Sequence, residues 1–530
     1  MANLRPSRFG YALTVFLILT ICYGYFMPKW ADWGANSRAD LVYAVGDRGV
    51  LYIDDYHENT GDKACFAGRD YTGDQPCEDG HYYSDKSLGP SLVALPFYMV
   101  FKGIAALPPV ERFIQSGSGL GNFSDTLNPE GEGIRPEAVY EGLALTFITF
   151  FAMSIPSAIL GTVVFLFAAR FTKRDLYAFV LALAYGLATI AFPYSNVLYQ
   201  HQMATFGMFV GFFLLWRVVH EQADLTWLWL VGVLFSLAVI TEYPVAPALA
   251  VIFLWAFIKM PNRWQLYRVV LGAIPLGLVF MGYNYLTFET VMPVGYNYSI
   301  NWQTEHQTGF LSLTIPTLDR LYGLTFSPFR GIFLLSPFLL LFFPGLVMLW
   351  QQHEDQRGMV IVLALVVAAF FLYNAASVMW WGGFTVGPRY LIPMLPFMVL
   401  PIALAFNWLL KRAWGSLLTG VLIALSIFSV WSLTIAGQGW PQVEISPQTF
   451  TAMNSSFPLF DHALPLLAQG DVARNYGGVL LGLSGLAGLI PLVLAVLCIS
   501  FIVLRLFSRP ATMPVTIENR SLEQAAESAR

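Results

Sequence analysis

Apolar runs of membrane-crossing length recur along the whole chain, among them Phe9–Met27, Val269–Tyr285 and Gly477–Leu506. A helix needs about 20 mostly apolar residues to span a hydrocarbon core of about 30 Å. Only 12% of the residues are charged, against about a quarter in an ordinary soluble domain. The chain is therefore expected to be an all-α polytopic membrane protein. The net charge of −4 does not orient it, because orientation follows the local placement of Lys and Arg. Nothing points to a nucleic-acid partner.

Arg5 and Arg8 precede the first apolar segment and put its start in the cytoplasm by the positive-inside rule. No small-residue cleavage site follows, so the segment is an uncleaved anchor rather than a signal peptide. The basic groups Arg170/Lys173/Arg174, Lys259/Arg263/Arg268, Arg357, Lys411/Arg412 and Arg505/Arg509 then fall on the same side if about twelve segments cross. That register fails if Leu88–Leu107 also crosses. This segment is expected to dip into the outer leaflet and return, which is tolerated where protein covers the backbone. Residues 1–509 form the membrane domain, with outer loops at 28–87, 287–330 and 436–475. Pro108–Glu137 reads as a loop. Ser37–Arg48 reads as a short helix along the membrane surface, and 510–530 as a polar, disordered cytoplasmic tail.

The stretch Ile53–Pro96 stands out as polar, acid-rich and aromatic. Cys65 and Cys77 both fall in it, and in an oxidising compartment they either pair or remain two free thiols. Cys22 and Cys498 lie in apolar segments as packing residues. No Cys/His spacing suggests zinc.

Asp54, Asp62, Asp85 and Lys86 are the catalytic candidates in this stretch. A carboxylate can take a proton from a sugar or lipid hydroxyl. Lys86 precedes an apolar segment, where a cation at the membrane face can neutralise a lipid phosphate. Solvated loop charges are the plainer alternative. His81 and Tyr83 are substrate-binding candidates, the ring either packing on a sugar or anchoring the interface. Glu242, between two apolar segments, is used, paired or merely solvated at a loop tip. Arg389 and Tyr390 follow a Gly-rich turn, and Arg389 either clamps a phosphate with its planar fork or makes a structural ion pair. Arg330 has the same two readings with the structural one favoured, and His201 is a hydrogen-bonding or a structural interfacial residue.

The motifs IDDYHENTGDKA (residues 53–64) and HYYSDKSLGPSLVALPFY (81–98) resemble bacterial integral-membrane glycosyltransferases of the C-type superfold (GT-C). These relate to glycosyltransferase family 39, the protein O-mannosyltransferases and the aminoarabinose transferases of lipid A. The resemblance extends to TEYPVAPALA (241–250), GLTFSPFRGIFLLSPF (323–338) and WGGFTVGPRYLIPMLP (381–396). It implies a GT-C-like bundle with outer-face loops and short interfacial helices. It also implies transfer of a sugar from a polyprenyl-phosphate carrier to a glycan, lipid or protein acceptor at the outer face of a bacterial inner membrane. Asp85–Lys86 matches an acid–Lys pair of the relatives, with Lys86 on the donor phosphate. Many relatives carry Asp-Glu shortly before an Arg after the first segment. Here that run is Ala35-Asn36-Ser37-Arg38, so the base comes from elsewhere: Asp54 first, Asp62 second.

The expected chemistry is a single inverting displacement that brings Asp54, Lys86 and Arg389 together. The loop 287–330 closes over the donor. No cofactor is required, although the carboxylates would accept a divalent cation. The alternatives are an O-antigen ligase or polymerase-like protein, and a transporter or flippase of lipid-linked sugars. A transporter tends to carry internal repeats and mid-membrane charge; neither is evident here.

Overall fold

The computed structural model describes residues 6–28, 32–116, 136–301, 305–306, 308–309, 312–440 and 456–507. The tail 510–530 and parts of the loops at 28–87, 108–137, 287–330 and 436–475 lie outside them. Among the described residues, nine helices are long and apolar enough to cross a membrane, and four shorter apolar helices accompany them.

Close approach at small residues joins the helices, as expected where lipid removes the hydrophobic drive for helix pairing. A Cβ at Gly232 would meet the Val269 carbonyl oxygen at 2.1 Å, and one at Gly207 the Leu234 carbonyl oxygen at 2.5 Å. The first helix, α1 (Pro6–Tyr25), runs against Ile155–Ala168 in the opposite sense. Leu19 touches Gly161, Gly24 approaches Phe150, and the Tyr11 and Phe165 rings meet at 6.3 Å.

Basic residues mark one end of the bundle. Arg8 pairs with Asp175 at 2.7 Å, Arg170 and Arg217 share Glu221, and Asn407 caps the Lys173 amide at 2.8 Å. Lys259 lies beside Gly358. The opposite end holds α2 (Trp33–Tyr43), a β-hairpin of β1 (Lys63–Phe66) and β2 (His81–Ser84), and α3 (Leu88–Ala105).

This geometry corrects one expectation and explains another. Leu88–Leu107 makes no dip and return, because α3 is unbroken through Pro96 and Gly103. Both of its ends nevertheless lie away from the basic end. Gly89 packs on Thr241, while Phe97 and Phe101 meet Phe151 and Tyr140 at 5.5 and 5.3 Å. Although α3 has the length and apolarity of a span, it runs along one end of the bundle. Setting it aside leaves, among the described residues, eight helices long and apolar enough to cross and four shorter apolar ones.

The helix expected over Ser37–Arg48 is α2 followed by a wide turn, Ala44–Arg48. It does not lie half-wet on a surface, since Gly34–Tyr43 are all buried. Asp32 caps its first turn by accepting from the Ala35 amide. Ser37 Oγ meets Ser84 Oγ at 2.7 Å, and Ser91 Oγ donates to the Arg38 carbonyl at 2.9 Å. Hairpin, α2 and α3 are thereby locked together. Pro108–Ser116, expected as loop, is a short helix.

Candidate active site at the hairpin end of the bundle

In the hairpin, Lys63 pairs with Ser84 and Phe66 with His81. Cys65 and Cys77 form a disulfide, Cα–Cα 5.0 Å, so the two thiols are not free. The other edge of β1 receives the second polar stretch: Ala64 bridges Ser299, and the Ile300 amide donates to the Lys63 carbonyl at 3.0 Å. This carries Tyr296 and Ser299 onto the residues just past β2.

Those residues hold the densest charge. Lys86 Nζ lies 3.1 Å from Asp62 Oδ2 and 3.1 Å from Asp85 Oδ1. The side-chain exposures are 13% for Lys86, 15% for Asp62 and zero for Asp85. Ser299 Oγ donates to Asp85 Oδ2 at 2.8 Å, and Lys86 stands over the Tyr296 ring at 5.4 Å. Burial alone would push the Lys86 ammonium down, but Asp62 and Asp85 outweigh it and hold Lys86 above its ordinary range. Burial likewise acts to raise Asp62, and the Lys86 charge with its hydrogen bond reverses that, leaving Asp62 below the usual carboxylate range. At Asp85 burial prevails over Lys86, and the carboxyl is raised. The two carboxyls on one lysine are thus shifted in opposite directions from the ordinary carboxylate range.

Two guanidinium groups bear electrostatically on Asp62. Arg38 is 1% exposed and donates to the Gly34 carbonyl oxygen and the Gln200 amide oxygen. Arg389 lies 5.1 Å from the Tyr199 ring and 5.4 Å from the Tyr390 ring, and Arg38 lies 5.4 Å from the same Tyr199 ring. Their Nε atoms have no hydrogen-bond partner among the described residues. Tyr199 donates to Asp32 from behind. His306 packs on Tyr296 with ring centroids 4.4 Å apart. Burial, aided by the Lys86 charge, pushes His306 down to about 4, so its imidazole is neutral at pH 7.

The structure brings Asp62, Asp85, Lys86 and Arg389 together, and it does not bring Asp54 or His81 with them. Asp54 Oδ2 pairs with His81 Nδ1 at 2.7 Å, and Asp54 Oδ1 accepts from the Tyr82 amide at 2.7 Å. His81 is the first residue of β2 and Lys86 lies beyond its last, roughly 16 Å along an extended chain. Asp54 thus stands apart from the Lys86 cluster, whereas Asp62 is part of it.

Tyr83 is buried against Phe288, centroids 5.5 Å apart, and offers no open face. Arg330 is engaged as a structural clamp. Its guanidinium donates to the carbonyl oxygens of Thr385 (3.0 Å), Gly387 (2.7 Å) and Gly383. It thereby fixes the turn that presents Arg389, where Gly382, Gly383 and Gly387 have φ of 72°, 77° and 63°, a region side-chain-bearing residues rarely enter. His201 and Glu242 are both buried and pair at 2.9 Å, so Glu242 is not a solvated loop tip. Tyr390 meets the His201 ring edge-on at 5.5 Å. The second polar atoms of the pair, His201 Nε2 and Glu242 Oε2, have no partner among the described residues.

Sequence reasoning passed over Arg38, Tyr199, Tyr296, Ser299 and His306. Arg38 carried a signal, since a lone Arg in an otherwise weakly charged helix needs a partner. The others are brought in by tertiary packing alone. Among the described residues, no group of three or more His, Cys, Asp or Glu could hold a metal ion.

No protein-family model matches the chain, and no curated protein matches it. Among solved structures it is similar to the crystal structure of ArnT from Cupriavidus metallidurans bound to undecaprenyl phosphate. The identity is 15%, over 94% of this chain and 76% of that one, with a TM-score of 0.42.

Proposed function

We propose that this integral membrane protein is a glycosyltransferase that takes a sugar from a polyprenyl-phosphate carrier. The observation that carries the proposal is the desolvated Asp62–Lys86–Asp85 cluster, with Arg38 and Arg389 beside it, just before the N-terminus of α3. The motifs spanning these residues resemble the GT-C enzymes named above.

In the proposed displacement the acceptor hydroxyl oxygen attacks the anomeric carbon and its proton passes to the Asp62 carboxylate. The bond from the anomeric carbon to the phosphate oxygen breaks, and its electron pair leaves on the polyprenyl phosphate. Lys86, held protonated by its two carboxylates, and Arg389 stabilise that leaving group. They act best in a site where little water competes. Asp85, tied by Ser299, orients Lys86. Attack opposite the leaving group inverts the anomeric centre. The segment 295–300 covers the cluster from above, in keeping with a loop that excludes water. A cytoplasmic basic end, as the positive-inside rule favours, supports an extracytoplasmic cluster at the cell membrane.

The test is transfer of radiolabelled sugar from polyprenyl-phosphate donors by membranes carrying wild type, Lys86→Met, Asp62→Asn and Asp54→Asn. Transfer that needs Lys86 and Asp62 but not Asp54 supports the assignment. Equal transfer by wild type and Lys86→Met would exclude it. Flipping of the lipid carrier without transfer would favour the transporter alternative.

A further inference from the structure

Beside the charge cluster, on the outer side of the hairpin, lies a cleft of about 370 Å³, within the range of about 300–1,000 Å³ common for small-ligand sites. One wall is the Cys65–Cys77 disulfide with Arg69 and Tyr71, and the other is Tyr298–Ile300. Both tyrosine rings are held in place. Tyr298 is stacked on Phe288 with centroids 5.8 Å apart and planes 7° apart. Tyr71 donates to Asp79 at 2.5 Å. Arg69 is exposed at the rim, and its guanidinium makes no ion pair among the described residues. The residues Thr72–Gln75 next to it in the chain are polar or small, and exposed, which suits an opening toward water. Ser299 belongs to the cleft lining and donates to Asp85. One hydrogen bond therefore separates the cleft from the proposed reaction centre.

We propose that this cleft is the acceptor subsite and that its ligand is a saccharide, neutral or bearing a carboxylate. Rigid ring faces suit the C–H faces of pyranoses, because an aromatic ring presents a broad apolar plane with a negative centre. The unpaired Arg69 fork suits a carboxylate or vicinal hydroxyls. The disulfide cross-links one wall, and the pairing of Ala64 with Ser299 ties the other wall to it. A water-soluble glycan reaches the site from outside, while the lipid-borne donor comes to Lys86 from the membrane. The acceptor role rests on the transferase assignment; saccharide binding itself does not.

The experiment measures binding of a panel of neutral and uronate-bearing oligosaccharides to purified full-length protein by saturation-transfer NMR, without donor. Polyprenyl-phosphate binding is measured in parallel. Wild type is expected to bind a saccharide, and Arg69→Ala/Tyr71→Ala to bind it at least about ten-fold more weakly with unchanged polyprenyl-phosphate affinity. Both substituted residues are at the surface, and the second measurement reports that the fold survives. No binding from the panel, or equal binding by the double variant, would overturn the proposal. Cleft-dependent binding with no transfer from any polyprenyl-phosphate donor would remove the transferase assignment and its acceptor role, and leave the cleft a saccharide site.

Discussion

The two ends of one short hairpin carry similar chemistry in different surroundings. At the start of β2, Asp54 and His81 pair at 2.7 Å with side-chain exposures of 32% and 48%. Just beyond its other end, Asp62 and Asp85 hold Lys86 at 13% exposure or less, apart from Asp62 itself at 15%. At the exposed end water screens each charge, and such pairs typically contribute about 0–1 kcal/mol. At the buried end the carboxyls are driven apart in pKa and the ammonium is fixed in its charged form. Similar side-chain pairs thus behave differently according to what covers them.

Replacing Lys86 with Met should have the largest effect. Transfer should fall about a thousand-fold, the scale of removing one donor from a developing anion. The protein should also melt earlier, because two carboxylates lose their counter-charge. Asp62→Asn should lower the transfer rate about 10²–10⁴-fold with little change in donor KM, as loss of a general base does. An unaltered rate in this variant with a large loss in Asp54→Asn would invert the comparison.

Arg330→Lys should reduce transfer about ten-fold through the turn that Arg330 holds. A lysine cannot serve the three carbonyls of the 383–387 turn that presents Arg389. Here the split between kcat and KM should match that of Arg389→Lys.

Stability against pH separates the two carboxylates of the cluster. Asp62 is held below its unfolded range, so its ion pair stabilises above that range and is lost as pH falls through the folded value. Asp85 is raised, so folding opposes its ionisation and stability drops as pH climbs from the unfolded value toward the folded one. Thermal melts across the acid range should therefore lose an acid-side decline in Asp62→Asn and an opposite decline in Asp85→Asn. Identical profiles for the two variants would refute the assignment. The smallest effect is expected of Asp54→Asn, within about two-fold of wild-type transfer, as for an exposed pair.

Much of the fold was legible because lipid imposes simple rules. Run length and the absence of charge identify crossing segments, and the placement of Arg8, Arg170 and Lys173 required Leu88–Leu107 not to count as a pass. The same rules could not tell an unbroken helix at one end of the bundle from a dip and return, since Pro96 and Gly103 suit both. The resemblance pointed to Asp85–Lys86, but residue type could not rank Asp54 against Asp62. Both are loop acids near a cation in sequence; only the hairpin register, with Lys63 opposite Ser84, brings Asp62 alongside Asp85 and within 3.1 Å of Lys86. Arg330 and Arg389 also read alike, each beside Gly and Pro, until the carbonyls of the turn were seen to claim Arg330.

By itself the sequence determined the solvent this chain lives in, its helical passes, the end at which basic residues gather, and the stretch that carries the charge. These follow from local quantities: hydropathy summed over about 20 residues and charge counted beside each segment. The tertiary structure decided which charges are dry, which are paired, and which distant residues, Arg38, Tyr296, Ser299 and His306, share the site. Desolvation and pairing depend on atoms from segments more than 200 residues apart, as Ser299 and Asp85 are, and no local window of sequence contains both.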